Sequence, residues 1–140
     1  MTKDVTIIGL DIGGVRTGVA ISRPPVHIPR PLVTLPSEGI AASVAQIVKN
    51  EDATVVVVGL PRNLSGDATD QTRSTQQTAK VIQEALSVPV EFRDEAATSL
   101  KAKQELESRK KPYKKEDVDM LAATYILEDY IAEHPEIMHV

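Results

Sequence analysis

The fold is decided at the start of the chain, by residues 5–22, VTIIGLDIGGVRTGVAIS. Val5–Leu10 is a run of apolar and β-branched residues that predicts a buried strand, and Arg16–Ser22 predicts a second strand. The pair Gly13–Gly14 between them indicates a tight turn, because glycine adopts positive φ angles without steric cost. The two strands are therefore predicted to form a hairpin, with Asp11 following the carboxyl end of the first strand.

The rest of the chain alternates between predicted strands and predicted helices. Further strands are predicted over Leu32–Leu35, Thr54–Gly59 and Pro89–Phe92, and helices over Glu38–Asn50, from Thr69 or Asp70 to Leu86, from Thr98 or Ser99 to Ser108, and over Glu116–Glu133. Ser37 is the predicted N-cap of the first helix, and the predicted inner side of the second helix is Thr78, Val81, Ile82 and Leu86. The order β-β-β-α-β-α-β-α-α predicts one α/β domain over residues 1–140, a mixed five-stranded sheet with helices on both faces.

Composition excludes several classes of protein. The 140 residues contain no cysteine, which excludes a disulfide scaffold and thiol catalysis. The apolar run around Val55–Val58 is far shorter than the roughly 20 residues of a membrane span, and an acidic residue at Asp4 argues against a signal peptide. Three tyrosines and one phenylalanine disfavour a base-stacking platform of the single-strand-binding kind. The net charge of -4 argues, as an average, against a nucleic-acid partner.

Acidic residues mark two turns where chemistry is expected. Asp11 stands at the end of the first strand, where open α/β sheets place their ligands, although a carboxylate there also suits a turn cap. Asp94 and Glu95 stand where the last strand gives way to a helix, and one of them is explained as a helix N-terminal acid. Two adjacent carboxylates exceed what that structural role requires.

A third acidic position lies on the last predicted helix. Asp119 precedes Ala122 by three residues and Ala123 by four, so it shares a face with small residues that pack inward. A carboxylate there is costly unless it is paired, hydrogen-bonded or bound to a metal. If Asp11, Glu95 and Asp119 converge, their repulsion raises their pKa values unless a cation lies among them. Mg²⁺ accepts such oxygen ligands, and two such ions can drive hydrolysis of a phosphodiester.

Positive charge is concentrated just before Asp119. Five cations occur within seven residues: Arg109, Lys110, Lys111, Lys114 and Lys115. A charge run of this kind is often only a solvated loop, but beside a carboxylate cluster it would attract a polyanion that the acidic body repels. Arg16, Arg62 and Asn63 come from predicted turns. Each either lies at the rim of the carboxylate cluster or is an ordinary surface group. The histidines, His27, His134 and His139, are interpreted as surface residues rather than catalysts.

Four segments together resemble the YqgF family, also called RuvX, whose members are described as bacterial pre-16S rRNA nucleases and Holliday junction resolvases. They are GLDIGGVRTGVAIS (Gly9–Ser22), VVVGLPRNLSG (Val56–Gly66), DEAATS (Asp94–Ser99) and VDMLAATYIL (Val118–Leu127), and they span nearly the whole chain in the family's order. The third segment departs from the family pattern, which tends to have Arg and Leu where this chain has Ala96 and Ala97.

The resemblance implies an RNase H-like fold and a divalent-metal-dependent nuclease. It implies that Asp11, Glu95 and Asp119 are the catalytic, metal-binding acids, with Mg²⁺ or Mn²⁺ as cofactor. In such folds the strand beside the first is the one that ends at Leu60, so Glu95 must reach in from a neighbouring strand end, and Asp67 or Asp94 is the alternative in its place. It implies that the rim or substrate contacts are Arg16, Asn63, Thr98 and Ser99. The implied role is processing of the 5′ end of pre-16S rRNA in the cytoplasm.

Three other interpretations stay open. A Holliday junction resolvase on the same fold would favour a two-fold dimer, because it cuts two strands symmetrically, and the sequence leaves monomer or dimer undecided. An RNA-binding module without catalysis is suggested by Ala96, where the family tends to have Arg. The turn DIGG, residues 11–14, also resembles the phosphate loop of actin-like kinases and ATPases, but those proteins need two such domains.

Overall fold

The computed structural model of the protein describes residues 5–62, 69–96 and 98–138, and the side chains of Arg62, Ala96 and Met138 are not among the described parts. Asn63, Asp67 and His139 lie outside the described residues. Within those ranges the strands are β1 (Ile7–Ile12), β2 (Arg16–Ser22), β3 (Arg30–Pro36), β4 (Val55–Arg62) and β5 (Val90–Ala96). The helices are α1 (Ile40–Glu51), α2 (Asp70–Ala85), α3 (Thr98–Ser108) and α4 (Lys115–Glu133), followed by a short 3₁₀ helix over Pro135–Met138. The predicted order of elements is confirmed.

The strands form one mixed sheet in the order β3-β2-β1-β4-β5. The predicted hairpin is present: β1 pairs antiparallel with β2, and β2 pairs antiparallel with β3. β4 lies parallel beside β1, and β5 lies parallel beside β4. The carboxyl ends of β1, β4 and β5 therefore meet at one edge of the sheet, which is where α/β folds place ligands.

Apolar side chains cover both faces of the sheet. Alternate residues of a strand point to opposite faces, so Val56 and Val58 pack in a core with α1 and α2. Val55 and Val57 pack in a second core with Ile126 and other residues of α4. Because both faces of β4 are buried, its first four residues, Val55–Val58, are all apolar. In the part of the chain that the structure describes, no helix is both long and apolar enough to cross a bilayer.

Four strands, β1, β3, β4 and β5, extend further than their apolar residues predict, so Arg62 is a strand residue rather than a turn residue. On two of these strands the added residues include acids. β1 continues through Asp11 to Ile12, and β5 continues through Asp94 and Glu95 to Ala96. The backbone pairing of β5 with β4 runs on in register because ladder hydrogen bonds do not require apolar side chains. Asp11, Asp94 and Glu95 are therefore strand residues, not turn residues, and adjacent acids on β5 point to opposite faces.

Two details at the helices differ from prediction. The N-cap of α1 is Gly39, with φ 70°, rather than Ser37. The Ser37 hydroxyl instead donates to the Gly13 carbonyl at 2.6 Å and lies 2.9 Å from the Thr17 hydroxyl, so it ties the first hairpin to the end of β3. On α2 the prediction of Val81 as an inner residue was wrong: its side chain is 56% exposed. The buried residues of α2 are Thr72, Thr75, Ala79 and Ile82.

The prediction that His27 is a surface residue was also wrong. Its side chain is only 5% exposed, and its Nδ1 lies 2.9 Å from the Ser22 hydroxyl. Burial lowers the pKa of His27, because the charged imidazolium loses water. Its burial comes from the way the loop after β2 folds back, which residue type alone does not reveal. His134 is partly exposed and pairs with Glu136, as a surface histidine can.

Candidate active site

Asp11 sits next to the last residue of β1, at the sheet edge where the parallel strands end. It lies opposite Gly18 in the β1–β2 ladder. Burial, and secondarily the nearby negative charge of Asp119, raises the pKa of Asp11 to about 6. The ionised form of the Asp11 carboxyl is therefore unfavourable in the folded protein unless a positive charge lies nearby.

Glu95 is a second acid at the same edge, and it is buried, whereas Asp11 is only partly buried. Its side chain is only 9% exposed, and its strand position is opposite Pro61 of β4. Burial raises the pKa of Glu95 to about 8, and contact with the carboxyl of Asp129 on α4 contributes to the same shift. Arg93 acts in the opposite direction, with its Nε 3.2 Å from Oε1 of Glu95.

One small cavity of about 180 Å³ joins these two acids. Its lining consists of Asp11, Gly59, Pro61, Gln71, Glu95, Thr98, Ser99 and Ile126. β4 lies between β1 and β5, so Glu95 must reach across β4 to approach Asp11. Gly59 of β4 leaves that space open: a Cβ there would lie 3.4 Å from Cγ of Glu95 and 2.4 Å from Cδ1 of Ile126.

Asp119 is placed by the close packing of α4 on β2. A Cβ on Gly18 would lie 1.9 Å from the carbonyl oxygen of Asp119, so only glycine allows this approach. The carboxylate of Asp119 accepts a hydrogen bond from Arg16 Nε at 2.7 Å. It does not line the cavity of Asp11 and Glu95, but its charge acts on Asp11. The structure thus brings two acids into one cavity and the third beside them, held by an arginine.

The donor set fits a hard divalent cation. The cavity offers two carboxylates and the hydroxyls of Thr98 and Ser99, and oxygen ligands of this kind are those that Mg²⁺ prefers. Both carboxylates have raised pKa values, so a cation would relieve their unfavourable burial as anions. Among the residues that the structure describes, however, no three Asp, Glu, His or Cys side chains are grouped as ligands of a single ion.

The other predicted contact residues are distributed in three ways. Thr98 and Ser99 line the cavity, and Arg16 reaches Asp119. Arg62 ends β4 at the same sheet edge. None of the basic residues Arg109, Lys110, Lys111, Lys114 and Lys115 lines this cavity, and Lys115 is already the first residue of α4 rather than part of the loop. Asp94 is exposed and points to the face opposite Glu95.

Two residues of the site were not predicted from the sequence. Gln71 enters the cavity from the first turn of α2, whose start is fixed by the Thr69 N-cap and by a hydrogen bond from the Thr72 hydroxyl to the Pro61 carbonyl. Asp129 contacts Glu95 from α4. Asp129 lies three residues after the inward-facing Ile126, a spacing that puts it near the sheet, but its partner appears only once β5 is known to extend to Glu95.

Comparison with known proteins points to one family. A family model described as "RuvX: Holliday junction resolvase" matches residues 5–133. A protein of Chloroflexus aggregans named "Putative pre-16S rRNA nuclease" is 40% identical over 134 residues, covering 92% of this chain and 94% of the relative. A protein of Crocosphaera subtropica with the same name is 36% identical over 132 residues, covering 91% of this chain and 92% of the relative.

Solved structures share the fold. The structure of Thermus thermophilus RuvC superimposes with a TM-score of 0.57 at 15% identity, covering 94% of this chain and 97% of RuvC. The T. thermophilus RuvC structure in complex with a Holliday junction substrate gives a TM-score of 0.56 at 15% identity, covering 93% and 96% of the two chains. The predicted RNase H-like architecture is confirmed. Since the family model and the relatives cover nearly all of the sequence, the chain belongs to the RuvX family of nucleases.

Proposed function

We propose that this protein is a divalent-metal-dependent nuclease that processes the 5′ end of pre-16S rRNA in the cytoplasm. The observation that carries the proposal is the cavity that Asp11 and Glu95 share at the edge of the sheet where the parallel strands end. Asp11 is partly buried and Glu95 is buried, and both have raised pKa values. The names of the relatives support the choice of pre-16S rRNA as the substrate.

Asp11 and Glu95 are the residues that would hold the cation, Mg²⁺ or Mn²⁺, with Asp119 adding negative charge beside them. When bound, such an ion activates water and offsets charge on a phosphodiester. Thr98 and Ser99 present hydroxyl donors to phosphate oxygens from the same cavity. Arg16, held on Asp119, adds positive charge next to the site without entering the cavity.

The uneven distribution of charge on the protein favours binding of a polyanionic substrate on the side that carries the basic segment 109–115. The chain as a whole has a net charge of -4, whereas the segment 109–115 holds five cations in seven residues. A local basic segment on an acidic body attracts nucleic acid to one side and repels it elsewhere. Lys110, Lys111, Lys114 and Lys115 are exposed, so their charges are available to phosphates.

Cleavage of a pre-16S transcript with its 5′ extension tests the proposal. Wild type is compared with Asp11→Asn and with Asp52→Asn, a control change of the same kind at an exposed residue beyond α1. We expect cleavage by wild type and Asp52→Asn in Mg²⁺ or Mn²⁺, none in EDTA, and none by Asp11→Asn. Equal activity of Asp11→Asn and wild type would remove the mechanism.

Two further measurements separate the alternatives. A rise in Tm on addition of Mn²⁺, present in wild type and absent in Asp11→Asn, reports ion binding independently of cleavage. A four-way DNA junction serves as the competing substrate, and light scattering gives the oligomeric state with each nucleic acid. Cleavage of the junction by a two-fold dimer, with the transcript left intact, would make the protein a resolvase instead.

A further inference from the structure

A second and larger cavity lies away from the site of Asp11. Its volume is about 540 Å³, within the usual range of ligand sites. It is open to solvent and is bounded by the start of β3, the end of α3, the loop 109–114 and one side of α4, and we name it the loop cavity. It shares no lining residue with the cavity of Asp11 and Glu95.

Part of the lining of the loop cavity is apolar. Leu106 of α3 and Met120 and Leu121 of α4 contribute side chains, and Pro29 and Pro31 form a wall before and within β3. Leu106 is buried, whereas both α4 residues are only partly covered, so apolar surface is left facing the cavity. A flat apolar ligand would gain from covering that surface.

An aromatic ring stands at the edge of this apolar surface. Tyr113 lines the loop cavity and is partly exposed. Its hydroxyl donates a hydrogen bond to Oε1 of Glu107 at 3.1 Å, which fixes the ring from the side of α3. An aromatic ring held in this way can stack on a nucleobase, because every base has a π face.

Cations border the same cavity. Arg109 and Lys111 line it, and Lys110 and Lys114 flank them on the loop. Arg109 is paired with Glu105 at 3.3 Å, while within the described residues Lys110, Lys111 and Lys114 form no ion pair. Phosphates of a nucleic-acid strand would therefore find unneutralised charge beside the apolar surface.

From these contacts we infer that the loop cavity binds an unpaired nucleotide of the substrate, with the base on Leu121 and Tyr113 and the adjacent phosphates on the lysines. The inference rests on the proposed function, since it assigns a second contact to the same nucleic-acid substrate. Asp117 also lines the cavity; one of its oxygens accepts from the backbone N–H of Lys114, and its carboxylate can accept from a base amino group.

The loop cavity and the site of Asp11 lie on different sides of α4. Asp117, Met120, Leu121 and Thr124 recur at spacings of three and four, so they form one side of the helix. Asp119 and Ala123 face the sheet on a different side. The nucleotide in the loop cavity is therefore a different one from the nucleotide that is cleaved.

Binding measured in EDTA tests the inference without cleavage. The ligands are an RNA hairpin with a single-stranded overhang, the same hairpin with abasic overhang positions, and a blunt hairpin. The variants are Leu121→Trp, which fills the cavity without changing charge, and Tyr113→Ala, which removes the ring from a loop. The controls are Tyr113→Phe, which keeps the ring, and Val81→Trp, which adds a tryptophan at an exposed site on α2.

We expect wild type to bind the native overhang about tenfold more tightly than the abasic one. Leu121→Trp and Tyr113→Ala should lose that difference and keep the affinity for the blunt hairpin, whereas Tyr113→Phe and Val81→Trp should retain it. Equal binding of native and abasic overhangs by wild type would overturn the inference, as would a retained difference in both cavity variants. Such a failure leaves cleavage of the transcript intact, whereas absence of metal-dependent cleavage by wild type would instead count against the proposed function.

Repeating the binding measurements with DNA overhangs shows whether the loop cavity prefers an RNA nucleotide or a DNA nucleotide. A preference for native over abasic overhangs in both RNA and DNA supports base recognition independent of the sugar. A preference in RNA alone supports an RNA nucleotide as the occupant. A preference confined to DNA would overturn the assignment to an rRNA substrate strand.

Discussion

Arg16 Nε lies 2.7 Å from Oδ2 of Asp119, and this hydrogen bond joins residues 103 positions apart in the sequence. It links the first residue of β2 to the second turn of α4 beside the acidic cavity. Both side chains keep some exposure to solvent, 35% for Arg16 and 17% for Asp119. Ion pairs with this exposure contribute little to stability, because water screens the two charges. We therefore interpret the pair as positioning charge rather than as holding the fold together.

The first prediction concerns Asp119→Asn. It should lower the rate of metal-dependent cleavage by on the order of 10²–10³, because a charge positioned beside Asp11 is removed. The free energy of unfolding should change by less than about 1 kcal/mol, since only a partly exposed pair is broken. Single-turnover cleavage and urea unfolding measure the two effects.

Glu128→Gln is the control for this change. Glu128 is an exposed acid on the same helix, so its substitution removes one negative charge without touching the site. Cleavage by Asp119→Asn at the rate of Glu128→Gln would show that Asp119 has no part in the reaction.

The second prediction is that Glu95→Gln stabilises the protein while it abolishes cleavage. The pKa of Glu95 is about 8 in the folded chain against an ordinary value of 4.5, so the folded state holds the protonated form more strongly than the unfolded state does. The stability that this carboxyl contributes is therefore complete below pH 4.5 and is lost as the pH rises through 8. Glutamine keeps a donor for Asp129 and an acceptor for Arg93 without ionising.

Melting temperatures in metal-free buffer give the test. The Tm of Glu95→Gln should match that of wild type near pH 4 and exceed it by about 2–6 °C at pH 8. Glu84→Gln, at an exposed position of α2, should follow wild type across the range. A Tm difference that shrinks as the pH rises would contradict the assignment of Glu95 as a buried, proton-holding acid.

The hairpin and the order of elements were predictable because they follow from local signals. The apolar run before Asp11, the glycine turn and the spacing of apolar residues in α1 and α4 each act over a few neighbouring residues. The extension of β5 through Glu95 was not predictable in this way. It depends on backbone pairing with β4, which continues beneath polar side chains.

The same distinction applies to the site. Residue type and a place near a strand end are enough to predict that Asp11 and Glu95 are chemically significant. The two side chains line one cavity because Gly59, which lies between them, has no side chain. This position of Gly59 follows from strand pairing in the sheet and cannot be read from the local sequence. Asp129 and the burial of His27 likewise arise from tertiary packing that sequence spacing does not encode.

The third prediction concerns the close approach of α4 to the sheet. Gly18→Ala places a Cβ where the Asp119 carbonyl oxygen would be 1.9 Å away, so α4 must shift. We expect a decrease of about 1–3 kcal/mol in the free energy of unfolding, as for other overpacked sites. Cleavage should fall as well, because the helix that carries Asp119 moves relative to Asp11.

Gly14→Ala is the matched control in the first hairpin. A Cβ at Gly14 has nothing within 4 Å, so this substitution should change stability by less than about 0.5 kcal/mol. Urea unfolding of the two variants is the measurement. Equal stability of Gly18→Ala and Gly14→Ala would mean that α4 does not pack against β2 at this distance.

The fourth prediction concerns the salt dependence of RNA binding. Replacing Lys110 and Lys114 by glutamine removes two exposed charges from the loop, neither of which lines the cavity of Asp11 or the loop cavity. For every phosphate that the variant no longer neutralises, the slope of log K against log salt should become shallower by about 0.7 for single-stranded RNA. Affinity should therefore fall most at low salt, and wild type and variant should converge as salt rises. Fluorescence anisotropy in EDTA over a series of salt concentrations measures the slopes.

The control is the double variant Lys49→Gln with Lys80→Gln. It removes two exposed charges from α1 and α2, on the opposite face of the sheet, and should leave the slope at its wild-type value. If both double variants changed the slope equally, net charge rather than the loop would govern binding.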